Sequence, residues 1–346
     1  VSWTTARLDS KLPKGYLAKQ MILAGIDEAG YGPVLGPMVV GCCAFELPIP
    51  GDAMLDGEPP CLWKALNSCV SRNRLKSGRK LHVNDSKLVY GGPGGLKELE
   101  RSVLAVLSCL GRCPDDIVGL LECAAPLAWT ELSRLPWYAA AEGERFPLEH
   151  ERPSVQIWAN GFSRAMEKAQ VRCVCYQARV IGERQLNHYL AATRNKASVL
   201  FTETANHLDR LIRDFASQGL LIICDRHGGR GHYGSLLRLM FEEWDLQIDF
   251  ETEGQSAYRL FRGRTVVRII FREKAEMSAM PVALASMLSK YLREALMHRF
   301  NAYWASMLPG LTPTAGYHGD GGRFLIDIEG KRRELGISDA DLIRSR

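Results

Sequence analysis

Residues 21–45 read MILAGIDEAGYGPVLGPMVVGCCAF, and the fold turns on this stretch. An apolar run, Met21 to Ile26, delivers two adjacent acids, Asp27 and Glu28. A glycine-punctuated turn, Gly30-Tyr31-Gly32-Pro33, follows, and a second apolar run extends from Pro37 to Phe45. Short continuous apolar runs bounded by turn residues predict buried strands, here an antiparallel pair. A carboxylate pair at the tip of a buried strand is costly unless a positive group meets it. A basic side chain or a bound divalent metal would serve, and the metal is the primary reading.

The 346 residues are enough for one large domain or two ordinary ones, with a substantial core. Hydrophobic residues at 46% and charged residues at 24% describe a soluble globular chain. No apolar stretch reaches membrane-spanning length. Val1 to Gln20 is polar, broken by Pro13 and Gly15, and unlike a secretory signal. The expected location is the cytoplasm, with no membrane contact. Of the ten cysteines, Cys42, Cys43, Cys173 and Cys175 fall within apolar runs and Cys224 ends another. None has CxxC spacing, so buried free thiols are expected rather than structural zinc. Net charge is only +5, but basic residues cluster at Arg72 to Lys80 and at Arg259, Arg262, Arg264, Arg268 and Arg272. Beside an acidic metal site, such runs suit a polyanionic partner.

Along the chain, a short helix is expected near Cys61–Val70 and a clearer one over Leu96–Leu110, whose apolar residues recur at helical spacing. The glycines at 91–95 lack the Gly-Lys-Ser/Thr ending of a phosphate-binding loop and read as a turn. Residues 111–170 resist assignment apart from a helix at Ile157–Ala169; their tryptophans read as packing. Val171–Ile181 has strand composition. Helices over Glu183–Thr193 and then through Leu200–Phe215 lead to Gly219 as a C-terminal cap. The buried run Leu220–Cys224 ends at Asp225, a second strand with an acid at its end, where α/β sheets tend to place chemistry. His227 and His232 read as loop residues open to phosphate contact. Val266–Phe271 forms a further strand before Lys274-Ala275-Glu276. A long helix runs from Pro281 to Met307, with Ser286, Ser289, Lys290, Arg293 and Glu294 facing outward or a site edge.

Asp27, Glu28, Asp225 and Glu276 together suggest a carboxylate-lined site for two Mg²⁺ or Mn²⁺ ions about 4 Å apart, one activating water and the other stabilising the leaving oxygen. Hard oxygen ligands without cysteine or histidine favour magnesium over zinc.

These residues carry a resemblance. Gly25-Ile26-Asp27-Glu28-Ala29-Gly30-Tyr31-Gly32-Pro33, with Gly36-Pro37, resembles the opening signature of the ribonuclease HII (type 2 ribonuclease H) family. Asp85-Ser86-Lys87-Leu88, Ile223-Cys224-Asp225, Lys274-Ala275-Glu276, Ala285 to Lys290, Arg293-Glu294 and Gly316-Tyr317 resemble its later motifs, in family order. The resemblance implies a ribonuclease H-like α/β fold, a mixed central sheet flanked by helices. It further implies endonucleolytic hydrolysis of RNA in RNA–DNA hybrids, or of ribonucleotides within duplex DNA, leaving 3′-hydroxyl and 5′-phosphate ends. Asp27, Glu28, Asp225 and Glu276 would hold the metal ions. Gly30, Tyr31, Gly32, Ser86, Lys87, Lys290 and Tyr317 would contact the nucleic acid. Two positions depart from the family pattern. Tyr31 replaces a basic residue in the turn that inspects the ribose, where backbone amides still read the 2′-hydroxyl but the charged phosphate contact is lost. Glu276 replaces Asp. A non-catalytic nucleic-acid-binding protein, or a DNA nuclease indifferent to the 2′-hydroxyl, are the alternatives. The expected organisation is a tail at 1–20, a catalytic domain at 21–310 with an inserted or divergent region at 111–170, and a helical C-terminal extension at 311–346, acting as a monomer.

Overall fold

The two apolar runs of the opening stretch form the first two strands of the sheet. The computed structural model describes residues 19–49, 59–75, 78–139 and 145–345. Strand β1 (Lys19–Ala29) pairs antiparallel with β2 (Met38–Ile49), placing Asp27 opposite Gly41 and Glu28 opposite Val40. Next come α1 (Leu62–Ala65) and a small parallel pair, β3 (Val70–Ser71) and β4 (Leu81–His82). Helices α2 (Ser86–Gly91), α3 (Gly95–Cys109), α4 (Ile117–Ala124), α5 (Trp129–Leu132), α6 (Pro136–Ala139) and α7 (Arg152–Ala169) follow. Strand β5 (Arg172–Ile181) leads to α8 (Glu183–Thr193), α9 (Lys196–Phe215) and β6 (Leu220–Asp225). Then α10 (Gly234–Met240) precedes β7 (Asp245–Thr252), β8 (Gln255–Arg262) and β9 (Thr265–Arg272). The chain closes with α11 (Met280–Met307), α12 (His318–Glu334) and α13 (Asp339–Leu342).

Among the described residues the main sheet has seven strands in the order β5-β2-β1-β6-β9-β8-β7. Its centre, β1, β6 and β9, is parallel, and the flanking pairs are antiparallel. Side chains on β1 alternate between two cores, as the two-residue period of a strand requires. Met21 and Leu23 join the core under α3, α7 and α11, while Ile22, Ala24 and Ile26 join that under α8, α9 and α10. This is the mixed sheet flanked by helices expected from the sequence. Helix α11 lies so close to β1 that a Cβ on Gly25 would come within 2.2 Å of the Val282 amide nitrogen. Only glycine permits that approach.

Several local expectations are corrected. The 61–70 segment forms a single helical turn before β3. Lys19 and Gln20 belong to β1 rather than to a tail, whose other residues lie outside those described, as do Gly51, Gly57 and Lys76. Among its described residues the 111–170 region contains four helices, α4 to α7, and Trp137 is fully buried against Tyr138 and Phe300. Strands β7 and β8 escaped the sequence reading because β7 is half-exposed and lacks a continuous apolar run. The arginines there are not a free basic stripe: Arg259 and Arg268 both pair with Asp249, and Arg262 pairs with Glu243. All ten cysteines are free thiols, though Cys61 and Cys113 are exposed. Among the described residues no helix is long and apolar enough to cross a membrane.

Candidate active site

Three parallel neighbours, β1, β6 and β9, point their C-terminal ends to one edge of the sheet. Strand β1 carries Asp27 and Glu28 near its end, β6 ends on Asp225, and Glu276 follows β9 in the 3₁₀ turn Ala275–Met277. Local hydrogen bonds hold Asp27 and Asp225. Asp27 Oδ1 accepts from the Glu28 amide at 2.7 Å, and Asp225 Oδ1 accepts from the Ala275 amide at 3.0 Å, tying the last two acidic segments together. From α11, the Ser289 hydroxyl donates to the Asp27 carbonyl at 3.1 Å.

The four carboxyls act on one another. Burial, then Glu28 and Asp225, push the Asp27 carboxyl well above its usual range. Burial and Asp225 raise Glu28 to about 7, and the same two causes raise Glu276 to about 7. Asp225 is also raised, burial again leading. Lys87 opposes these effects at Glu28, Asp225 and Glu276 without overcoming burial. Glu276 Oε2 is buried and has no hydrogen-bond partner. Among the described residues, no three His, Cys, Asp or Glu side chains stand close enough together to hold an ion as they are. An all-carboxylate donor set, mutually destabilised and including an unpartnered buried oxygen, fits a hard divalent cation such as Mg²⁺ or Mn²⁺.

The turn beside the acids is built to be rigid. Gly30 has φ +81°, and a Cβ there would meet the Pro37 carbonyl oxygen at 2.6 Å. Two buried guanidiniums bind the carbonyls of the turn. Arg344 Nη1 donates to the Gly30 and Gly36 carbonyls, and its Nη2 donates to that of Tyr31 at 3.1 Å. Arg293, from α11, donates to the carbonyls of Pro37, Leu35 and Ala315. Glu183 accepts from the Gly36 amide and the Tyr138 hydroxyl, each at 3.0 Å.

The other sequence-predicted residues divide. Tyr31 is half-buried near Glu28, whose charge acts on its hydroxyl, while Gly32 is exposed. Lys87 is exposed and its charge reaches the acids. Ser86 is buried and accepts from the Ser286 hydroxyl at 2.9 Å. Lys290 is not brought to the carboxylates: its ammonium donates to Glu294 at 2.6 Å and lies 4.5 Å from the Tyr90 ring centre. Tyr317 precedes α12 and is 51% exposed.

Of the two placements expected for Ser286, Ser289 and Arg293, the site edge holds rather than solvent: Ser289 meets the Asp27 carbonyl, Arg293 the carbonyls of the turn, and all three are buried. One reading is corrected. His227 is not a phosphate contact but a core residue packed on Tyr233 and Phe271, its Nε2 3.1 Å from the Thr204 hydroxyl. His232 pairs with Glu251. Sequence reasoning quoted Asp85 within a motif but gave it no site role, although its charge reaches Glu276, and assigned none to Glu183 or Arg344. The stripe at 286, 289 and 293 recurs at helical spacing and was a usable signal for a buried polar face. Arg344, isolated in a charged tail, offered none.

No family model and no curated protein matches the sequence. Solved structures similar to this one are ribonucleases of types HII and HIII. Ribonuclease H2 from Pyrococcus horikoshii OT3 is 13% identical, with 93% of this chain and 92% of that chain covered and a TM-score of 0.45. For RNase HII from Archaeoglobus fulgidus, solved in complex with PCNA, the values are 13%, 94%, 95% and 0.40. Bst-RNase HIII in complex with Mn²⁺ is 14% identical, with 99% of this chain and 74% of that chain covered and a TM-score of 0.39.

Proposed function

We propose that the chain is a metal-dependent endonuclease that hydrolyses the RNA strand of RNA–DNA hybrids, or ribonucleotides within duplex DNA. The observation that carries this reading is the gathering of Asp27, Glu28, Asp225 and Glu276 at one sheet edge, all four raised by burial and Asp27, Glu28 and Glu276 also by acidic neighbours. The motifs shared with the ribonuclease HII family supply the substrate class. Asp27, Glu28, Asp225 and Glu276 would hold Mg²⁺ or Mn²⁺, which supplies charge neutralisation at the phosphate and a more acidic water when bound. The chain's own residues then do the positioning. Backbone groups of the Gly30-Tyr31-Gly32 turn, locked by Arg344 and Arg293, inspect the ribose 2′-hydroxyl. Lys87, exposed beside the acids, meets a backbone phosphate. In this reading residues 21–310 carry the chemistry, and residues 311–346 brace the turn through Arg344.

The test compares duplexes of hybrid, all-DNA and single-ribonucleotide composition with Mg²⁺ or Mn²⁺ present. Cleavage of the ribose-containing duplexes, lost by several orders of magnitude in Asp27→Asn with the fold intact, is expected. Cutting of all-DNA at an equal rate would instead identify a nuclease indifferent to the 2′-hydroxyl. Salt-sensitive binding without cutting in either metal would identify a non-catalytic descendant.

A further inference from the structure

The turn Gly30-Tyr31-Gly32-Pro33 contains no cation, yet two basic groups from distant parts of the chain contact Tyr31, and the charge of another reaches it. Lys196, the first residue of α9, holds its Nζ 5.0 Å from the centre of the Tyr31 ring. Burial and then the neighbouring Arg344 act on that ammonium, and both pull it down, to about 8. Among the described residues no carboxylate acts on it. Arg230, in the loop after β6, places its charge on Tyr31, and its buried Nε has no hydrogen-bond partner. The third cation, Arg344, is already occupied by the carbonyls of the turn.

The contrast with other cations in the molecule is informative. Arg226 pairs with Glu273, Arg179 with Glu203 and Lys290 with Glu294. Lys196 and Arg230 are half-buried and so partly desolvated, a cost that an arriving anion would offset. The ring of Tyr31 gives the flexible lysine stem a fixed resting place by cation–π contact. Glu28, whose charge also reaches Tyr31, places this cluster beside the carboxylate site.

We propose that Lys196 and Arg230, gathered around Tyr31, form an anion seat that takes a backbone phosphodiester of the bound strand beside the scissile position. The proposal rests on the nucleic-acid reading above and deepens it: the cation absent from the turn is supplied by the start of α9 and the β6–α10 loop. Tyr31 serves as the platform that orients the ammonium.

The experiment measures binding of a fluorescent hybrid duplex and an all-DNA duplex to the full chain by anisotropy, in EDTA, over a salt series. Wild type, Lys196→Gln, Lys196→Arg and Arg230→Gln are compared, with thermal melting to match their folding. A lost phosphate contact lowers affinity by a similar factor for every sequence and reduces the slope of log K against log salt by about 1. We expect that loss in Lys196→Gln and Arg230→Gln, on the order of 3- to 10-fold at moderate salt, with Lys196→Arg close to wild type. A steep wild-type slope that both Gln variants leave unchanged overturns the seat while leaving the hybrid reading standing. Lys196-dependent binding of all-DNA but not of hybrid keeps the seat and overturns the hybrid reading. Binding of neither duplex overturns both. A final arm heats the wild type with inorganic phosphate at matched ionic strength. Stabilisation that Lys196→Gln abolishes, with no effect of that variant on duplex binding, would assign the seat to a free small anion and overturn the phosphodiester.

Discussion

His207 shows how a single buried side chain links this fold to pH. It is 2% exposed on α9, and its Nε2 donates to the Val40 carbonyl at 2.9 Å, next to the strand that faces Glu28. Burial dominates and pulls the imidazole down to about 4. His227, in its aromatic pocket, is likewise pulled down to about 4 by burial. In the unfolded chain these rings take up protons near pH 6.5; in the folded protein they resist until about pH 4. Between those values the unfolded state binds more protons, so stability is complete above about pH 6.5 and is lost as pH falls toward 4. The expected loss is on the order of 2–3 kcal/mol per ring. Chemical denaturation of wild type and His207→Gln at pH 7 and pH 4.5 checks this. The variant should lose measurably less stability between the two pH values, and parallel losses would rule His207 out as a contributor.

At the level of elements, the turn after β1 is held from two sides. Helix α11 contributes Arg293, and the segment after α13 contributes Arg344, whose amide also donates to the Val34 carbonyl at 2.9 Å. The C-terminal segment is itself anchored: Asn187 of α8 donates to the carbonyls of Ala340 and Ile343 and accepts from the Ser345 amide. A planar guanidinium can reach three carbonyls at once, whereas an ammonium cannot match that fork. Arg344→Lys should therefore cost about 1–3 kcal/mol in stability through carbonyls left unsatisfied. It should also loosen the turn, narrowing the ratio of hybrid to all-DNA cleavage while changing the rate on hybrid less. Measurement of both rates decides the matter; an unchanged ratio with lowered stability would confine Arg344 to a structural role.

For the whole molecule, the important consequence of the topology is electrostatic. Three parallel strands bring acids distant in sequence to one edge, and the fold tolerates their repulsion. Glu28 and Glu276 titrate at about 7, raised mainly by burial. A raised carboxyl stabilises the folded state fully below its unfolded value near 4.5, and that contribution is lost as pH rises through 7. A divalent cation that displaces those protons should reverse the loss. Addition of Mg²⁺ or Mn²⁺ should raise the melting temperature by several degrees, more at pH 8 than at pH 6. Asp27→Asn should shrink the increment and raise the melting temperature without metal. An increment of equal size in both proteins would place the ion elsewhere.

Much of this arrangement was legible in residue order. The apolar runs before Asp27 and Asp225 read as strands because a strand buried on both faces needs continuous hydrophobicity, and the tips of those strands marked the acids. The helices through Leu200–Phe215 and from Pro281 to Met307 were equally plain from their spacing. What residue order could not convey was partnership across long separations. Strand β7, at the sheet edge, and its neighbour β8 are amphipathic, with no continuous apolar run to announce them. Arg344 meets Gly30 only because α8 and α13 fold the tail back onto the turn. Lys196 acquires its place over Tyr31 only when α9 packs beside β1 and β2. Local sequence therefore determined the central strands, the long helices and the acids at the strand ends, through burial patterns that act over a few residues. Tertiary structure alone decided which cations are satisfied and which are left to meet a ligand, because charge pairing depends on distance in space and not along the chain.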